Sequence, residues 1–331
     1  MAQDNSKNHM YLDPIGIPKT PMDRPRGLWV QAAARLLHQP KALFGITVIL
    51  ILYGGGILAP WLAPYEYNEQ DLFAVRQGPS SDNLLGTDFV GRDVLSRTIY
   101  SLRTNLIITV MSVVTGGLIF GVTLGLMSGY IGGKTDTIIM RTGEVFLAFP
   151  GLLLVILLAS TVKPRVLDWV RSFEDATGIN GLVQWGVADY LVIFGALAAF
   201  SWVGVARLVR GQVIVLKATS FVEATRVMGA SSRRIMFHHL LPNALPPVIV
   251  VVTMGMGAIA GAEVVLSWLG IGIQPPVPSL GSMIREGQDV SILRNTPHLI
   301  LPPIIVVGLL IFAWNLMGDA LNDVLNPRKQ V

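Results

Sequence analysis

Six long runs of apolar residues dominate this sequence and restrict what the chain can fold into. Each run has at least about the 20 residues that an α-helix needs to cross the hydrocarbon core of a bilayer. The bilayer offers no water to the backbone, so a crossing segment of this length satisfies its amides as a helix. The sequence predicts an all-α polytopic membrane protein with six transmembrane helices, at residues 42–64, 105–129, 137–160, 188–209, 236–266 and 298–318.

Composition supports the membrane assignment and removes several functional classes. Hydrophobic residues make up 52% of the chain and charged residues 14%, whereas soluble proteins carry about 25% charge. The chain contains no cysteine, which excludes disulfide frameworks, thiolate metal sites and cysteine nucleophiles. The net charge of +4 is typical of a membrane protein with basic cytoplasmic segments, so we expect no nucleic-acid partner.

Residues 1–41 precede the first apolar run and are predicted to form a cytoplasmic tail. This tail is too long and too mixed in character for a cleavable signal peptide. Apolar side chains recur at helical spacing near its end, beside Arg35 and Lys41, and predict a short amphipathic helix on the membrane surface. These apolar residues are Leu28, Trp29, Ala32, Ala33, Leu36 and Leu37.

The distribution of positive charge predicts the orientation. Six spans place both tails (1–41 and 319–331) and the second and fourth loops on one side, which holds most of the 25 lysines and arginines. By the positive-inside rule, both termini are cytoplasmic. Residues 65–104 and 161–187 then face outward. Leu95, Ile99, Leu102 and Leu106 share one face near basic residues, and they predict an interfacial helix before the second span.

The cytoplasmic segment 210–235 has the clearest local pattern in the sequence. Ser220 followed by Glu223 predicts a capping box at a helix start. Gly229 is suited to the helix end, and Ser231 or Ser232 can cap a second helix. The first helix would carry an apolar stripe formed by Phe221, Ala224, Thr225 and Met228. Such a stripe either docks into a partner's groove or packs on its own protein, and the pattern alone does not separate these readings.

The same residues resemble the EAA loop of ABC importer permeases. The match consists of Glu223-Ala224-Thr225, Gly229, Ile235 and Leu241-Pro242. Thr225 replaces the usual alanine and keeps its place on the apolar face. In that family the loop forms a coupling helix seated in the cytoplasmic ATPase. The resemblance therefore implies an ATPase-coupling role for Phe221, Glu223, Ala224, Thr225, Met228 and Gly229.

Further motifs, in the same order along the chain, resemble the peptide/nickel permeases. They are Leu85-Gly-Thr-Asp88, Gly91-Arg-Asp93, Leu95-Ser-Arg97, Ala148-Phe-Pro-Gly-Leu152 and Leu266-Ser-Trp-Leu-Gly-Ile-Gly272 with Gln274-Pro275-Pro276. The chain looks most like the C-type subunit of dipeptide and oligopeptide importers over about residues 42–325. This resemblance implies the type I importer permease fold, with a permease core at 105–318, in the bacterial cytoplasmic membrane. The insert 161–187 lies outside the resemblance.

The resemblance also implies the partners. They are a homologous second permease, two cytoplasmic ABC ATPases and an extracytoplasmic peptide-binding protein. ATP would be bound by the ATPases, so this chain needs no cofactor and no catalytic residue. Residues 128–135 nearly match a phosphate-binding loop, but serine stands at the first glycine position and no strand precedes it.

Three ionisable residues near the membrane are candidate site residues. Arg141 and Glu144 lie three residues apart on one helix face and predict a structural ion pair. Glu263 is the most isolated charge at membrane depth, and such charges usually face a watery cavity or a bundle interior. Its position resembles a family motif, so we expect it to line the outer vestibule of the translocation path. His238 and His239 point apart on a helix, and we predict no metal site.

Glycines recur every fourth residue in two of the predicted spans. Such spacing lets membrane helices approach closely. We interpret it as packing within this subunit, with a subunit interface or a sliding seam between helices as the alternatives. The glycines are Gly117, Gly121, Gly125 and Gly129 in the second span, and Gly257 and Gly261 in the fifth.

These observations lead to one functional prediction and two alternatives. We expect a non-catalytic permease subunit of an ATP-driven importer of short peptides. The first alternative is the same kind of permease for nickel complexes or another small solute. The second is a secondary transporter, which would use an ionisable relay or broken helices at the midplane; this sequence shows one deep acid and no relay.

Overall fold

The computed structural model describes residues 34–325 of the chain. Within this range the chain forms helices joined by turns, with one isolated bridge between Thr87 and Asp93 and no sheet. This confirms the predicted all-α class. Most of the predicted amphipathic helix, with Leu28, Trp29, Ala32 and Ala33, lies outside the described residues, and residues 34–37 are helical.

Ten helices of six or more residues build the described part. They are α1 (Pro40–Ile57), α2 (Val94–Ile131), α3 (Gly133–Ala148), α4 (Gly151–Thr177), α5 (Val187–Lys217), α6 (Ser220–Val227), α7 (Ser232–Trp268), α8 (Leu280–Glu286), α9 (Val290–Asn295) and α10 (Leu301–Leu325). Five of them, α1, α2, α5, α7 and α10, are each long and apolar enough to cross a membrane, and α3 with α4 makes a sixth candidate if the bent pair counts as one span.

The third predicted span, 137–160, is not one straight helix. The chain bends by 92° between α3 and α4. Phe149, at the end of α3, has φ −100° and ψ 149°, the extended conformation that a following proline imposes. Pro150 is then the N-cap of α4, which begins at Gly151. The apolar run is helical as predicted, but the prediction did not include the break between α3 and α4.

The second span begins earlier than predicted. Residues 95–106 are not a separate interfacial helix, because they form the first turns of α2, which continues to Ile131 and is π-helical over Val113–Gly121. These turns of α2 bury polar side chains, which are Ser96, Arg97, Thr98, Ser101, Thr104 and Asn105. The apolar pattern suggested a membrane surface, but Leu95 and Ile99 are only half-buried, and Leu102 is buried together with the polar side chains.

The helices also extend into segments predicted as loops. Helix α4 continues through most of the insert 161–187. Helices α5 and α7 reduce the loop predicted at 210–235 to residues 218–231 around α6. The insert is fastened to the bundle at Asp189, at the start of α5. Its carboxylate lies 2.7 Å from Lys163 Nζ and accepts the backbone N–H of Gln274 at 3.0 Å.

The glycines of α2 form its contact face with α5. Cβ atoms added at Gly121, Gly125 and Gly129 would lie 2.7–2.8 Å from the Cβ atoms of valines on α5. Those valines are Val205, Val209 and Val213. The predicted packing within one subunit is confirmed, since the missing side chains are what let the two backbones approach.

The second glycine pair has the same role between α7 and α10. A Cβ at Gly257 would lie 3.1 Å from the Cβ of Trp314, and one at Gly261 would lie 3.3 Å from Ile311 Cδ1. Trp314 also packs in a buried cluster with Tyr53 of α1. Helices α1, α7 and α10 therefore form one group, and α2 and α5 form another.

The Gly125→Ala variant tests the α2–α5 contact. The new methyl group would lie 2.7 Å from the carbonyl oxygen of Ala206 and from the Cβ of Val209, so the helices must separate. We expect a loss of about 1–3 kcal/mol of stability, measured as a lower unfolding midpoint of the detergent-purified protein.

The matched control is Gly211→Ala, on α5. An added Cβ at Gly211 meets no atom within 4 Å, and alanine is the better helix former. This variant is expected to keep or raise the midpoint. Equal midpoints for the two variants would contradict the proposed packing.

Candidate functional site

Helix α6 occupies the predicted coupling loop, but it starts in a different way. The helix begins at Ser220 and its N-cap is Thr219. The Thr219 hydroxyl donates to the Leu216 carbonyl oxygen and caps no N–H group of α6. The predicted capping box between Ser220 and Glu223 is therefore wrong, because Ser220 is already a helical residue.

The apolar stripe of α6 points away from the protein. The Val222 side chain, on the other side of the helix, is completely buried in the core formed by α2, α5 and α7. Phe221 is 42% exposed and Met228 is 79% exposed. The stripe is available to a partner, because Val222 is the residue of α6 that is buried in its own protein.

The remaining residues of the predicted coupling set complete the surface of α6. Glu223 and Ala224 are exposed, and the Thr225 hydroxyl donates to the Phe221 carbonyl oxygen at 2.7 Å. Gly229 follows the helix with φ +81°, a left-handed conformation that glycine adopts at no steric cost.

The start of the next helix was predicted correctly. Ser231 is the N-cap of α7, and its hydroxyl accepts the Arg234 N–H at 3.4 Å. The turn at Gly229 and this cap together fix the direction in which the chain leaves α6 and enters the fifth span.

A polar network beside α6 was not predicted. The Asp136 carboxylate of α3 accepts a two-pronged contact from the Arg210 guanidinium of α5, at 2.6 and 2.7 Å. Ser128, near the end of α2, donates to the same carboxylate. The network joins α2, α3 and α5 on the cytoplasmic side of the predicted topology.

Tyr130 extends these links to α6 itself. Its backbone carbonyl oxygen accepts a hydrogen bond from Lys217 Nζ at 2.7 Å, and the Arg226 guanidinium of α6 lies 5.9 Å from its ring centroid. Lys217 and Arg210 are seven residues apart and share a face of α5. That spacing indicates that both cations lie on one side of α5, but the sequence does not show that α2 and α3 supply their hydrogen-bond acceptors.

A groove lies next to α6 at the start of α7. It has a volume of about 450 Å³ and is lined by Ser231, Arg233, Arg234, Phe237 and His238. Residues 34–325 contain no group of three metal-binding side chains. The groove is basic and open, and it continues the exposed surface of α6.

Glu263 lies inside the bundle and not at its mouth. Its side chain is 0% exposed, and its carboxylate oxygens accept hydrogen bonds from Asn105 Nδ2 at 2.6 Å and the Ser267 hydroxyl at 2.8 Å. Asn105 Oδ1 accepts the Tyr53 hydroxyl proton at 3.0 Å. The expectation that Glu263 lines the outer vestibule is wrong for this conformation, since both carboxylate oxygens are bonded to protein groups that link α1, α2 and α7.

Arg141 and Glu144 form the predicted ion pair, at 3.1 Å on α3. Both side chains are exposed, at 78% and 49%. An exposed pair of this kind contributes about 1 kcal/mol or less.

The motif residues before α2 form a buried ion network. Asp88 accepts the backbone N–H groups of Val90 and Arg92 at 2.9 and 3.0 Å, and its carboxylate pairs with the side chains of Arg92 and Arg97. Arg97 also contacts Glu286 of α8 at 2.7 Å. These residues hold the segment before α2 against the segment after α7.

Comparison with known proteins agrees with this architecture. Residues 121–331 match the family described as binding-protein-dependent transport system inner membrane component. Residues 27–79 match the N-terminal transmembrane domain of oligopeptide transport permease C.

Individual relatives align with nearly the whole chain. A glutathione transport system permease protein of Pectobacterium atrosepticum is 36% identical over 91% of both chains. Dipeptide transport system permease proteins of Alkalihalophilus pseudofirmus and Haemophilus influenzae are 32% and 37% identical, over 99% and 94% of this chain and 99% and 96% of theirs. With its membrane helices and exposed loop helix, this chain therefore belongs to the family of binding-protein-dependent transport system inner membrane components, the permease subunits of ABC importers.

Proposed function

We propose that the chain is a permease subunit of an ABC importer for short peptides, and that α6 is its coupling helix. The observation that carries this proposal is the outward apolar stripe of α6 on a helix whose opposite side is buried through Val222. A helix with an unpartnered apolar face is suited to the groove of another protein.

The proposed assembly contains more than one kind of partner. A homologous second permease completes the translocation path, two cytoplasmic ATPases bind ATP and contact α6, and an extracytoplasmic binding protein delivers the substrate. This chain binds no ATP and contributes no catalytic residue. The support is family membership, together with the basic groove and apolar stripe on the side that the predicted topology places in the cytoplasm.

Short peptides are the proposed substrates because the relatives are named for dipeptide, oligopeptide and glutathione transport. These molecules carry charges, and moving an isolated ionised carboxylate or ammonium group into hydrocarbon costs tens of kcal/mol by Born estimates. They require a hydrated path that is closed to at least one side of the membrane at all times. The permeases provide the path, and the ATPases supply the energy.

The contacts around α6 explain how movement could reach the membrane. Val222 packs in the core formed by α2, α5 and α7, so displacement of α6 acts on all three helices. The Lys217 contact to Tyr130 and the Arg210 contact to Asp136 tie the same end of α5 to α2 and α3. A force applied at the stripe is therefore transferred to several spans together.

The Met228→Asp variant tests the coupling surface. It places a carboxylate on the exposed stripe, where burial against a partner without a counter-ion costs several kcal/mol. We expect ATP-dependent uptake and copurification of the ATPases to fall at least about 30-fold, a loss of roughly 2 kcal/mol.

The conservative Met228→Leu variant is the matched control, because it keeps the apolar contact. Both variants are expected to reach the membrane in wild-type amounts, since Met228 is 79% exposed. Wild-type uptake in the Met228→Asp complex would refute the assignment of α6.

The Arg210→Lys variant tests transfer from α6 to α3. Lysine keeps the charge but cannot form the two-pronged contact with Asp136. We expect a small loss of stability, about 1 kcal/mol or less because the pair is partly exposed, together with a several-fold fall in the uptake driven per ATP hydrolysed.

The exchange of the two residues, Asp136→Arg with Arg210→Asp, provides the control. It restores the opposite charges and is expected to recover part of the ratio of uptake to hydrolysis. An unchanged ratio in Arg210→Lys would show that this contact is not part of the coupling route.

The proposed topology places both termini in the cytoplasm, and reporter fusions test it. Fusions after Lys134 and Ser232 are expected to report the cytoplasm, and fusions after Ser81, Glu174 and Asp289 the outside. The positive-inside rule gives this orientation, and the broken α3–α4 pair counts as one span. A single fusion on the opposite side would require a different span count.

A further inference from the structure

We propose that a cleft at the outward end of the bundle binds the terminal carboxylate of a transported peptide through Arg103. The inference rests on the proposed function, which supplies the substrate class and the orientation. The cleft has a volume of about 430 Å³, within the range of small-molecule sites. Its function was not indicated by any sequence motif.

Three connecting segments and two spans meet at this cleft. Tyr67 comes from the segment before α2, Trp185 from the segment before α5, and Val277 from the segment after α7. Arg103 lies on α2 and Tyr190 on α5. In a six-span topology these segments connect alternate spans on one side, which is the outside in the proposed orientation.

Arg103 differs from the other arginines at the start of α2. Arg92 and Arg97 are held by Asp88 and Glu286. Within the described residues, the Arg103 guanidinium forms neither an ion pair nor a hydrogen bond, and the residue is exposed in the cleft. A guanidinium presents a planar set of donors that matches a carboxylate with two parallel bonds.

Aromatic side chains form the walls around this cation. The Tyr67 and Tyr100 rings meet edge to face, with centroids 5.0 Å apart, and the Tyr190 hydroxyl donates to Thr104 Oγ1 at 3.1 Å. Trp185 is exposed. Rings of this kind contact side chains of many shapes, whereas the carboxylate is the group that peptides of any sequence share. The cleft therefore recognises the end of a peptide and tolerates variation in the rest.

A cysteine at Ile107 reports whether the cleft is occupied. Ile107 lines the same cleft one turn from Arg103, and the chain contains no native cysteine. The experiment uses the complete transporter without its binding protein and labels the Ile107→Cys variant with a membrane-impermeant maleimide. Trialanine, trialanine amide and acetate are compared as protecting ligands.

We expect trialanine to slow labelling and trialanine amide and acetate to have much weaker effects. With Arg103→Gln added, the trialanine concentration for half-protection is expected to rise about tenfold or more. Arg103→Lys is expected to give an intermediate value, because it keeps the charge and loses the paired donors.

Arg294→Gln is the matched control. Arg294 is another exposed arginine in an outward segment, and no ion pair involves it among residues 34–325. Its removal is expected to leave protection unchanged. Equal protection by the peptide and its amide, protection by acetate alone, absence of labelling, or protection only after the binding protein is added would each overturn the carboxylate assignment.

Uptake measurements separate this inference from the proposed function. A complete reconstituted transporter that imports no di- or tripeptide would refute the proposed peptide function. A transporter that imports trialanine while its Arg103→Gln variant shows unchanged protection at Ile107→Cys would refute only the role of the cleft.

Discussion

The close approach of α2 to α5 fixes the positions of the two ends of the bundle relative to each other. Glycine replaces larger side chains on the α2 face, and valines of α5 fill the space. Because dispersion contacts and close packing, not hydrophobicity, hold helices together in lipid, this contact is a main source of cohesion. Helix α5 leads at one end to α6 and begins at the other with Asp189, which fastens the insert. The proposed coupling surface and the proposed peptide cleft are thus built on the same helix pair.

Buried polar groups supply a second kind of restraint. The Tyr53–Asn105–Glu263–Ser267 chain of hydrogen bonds joins three spans at membrane depth. A buried polar group without a partner is costly in a medium of low dielectric constant, so each member fixes the position of the others. Asp88 has a similar role just before α2, where backbone amides and two arginines surround it. The motif residues that resemble a family signature therefore stabilise the segments before α2 and after α7 and need not contact substrate.

Much of the fold could be predicted from the sequence, because hydrophobic run length is dictated by bilayer thickness. The positions at which the helices end were harder to predict. Residues 95–106 looked interfacial because apolar and basic residues alternate there, and only the tertiary structure shows that the polar side is buried. Pro150 marked the break in the third span, but long apolar runs with internal proline are common enough in membrane helices to hide it. At the candidate sites, three features depend on which helices pack against each other, and a single sequence does not show this. They are the direction of the Phe221–Met228 stripe, the Arg210–Asp136 pair and the lack of an ion-pair partner for Arg103 among residues 34–325.

The length of α2 has a mechanical consequence. Its 38 residues correspond to about 57 Å of helix, well beyond the roughly 30 Å of a bilayer core. Arg103 stands near one end of this rod and Tyr130, which contacts Lys217 and Arg226, stands at the other. The two positions are separated by about 40 Å, so a tilt of about 5° around one end displaces the other by roughly 3.5 Å. That displacement exceeds the length of a hydrogen bond. A small rotation of α2 therefore suffices to break or make the contacts at its other end. No large rearrangement of the bundle is needed.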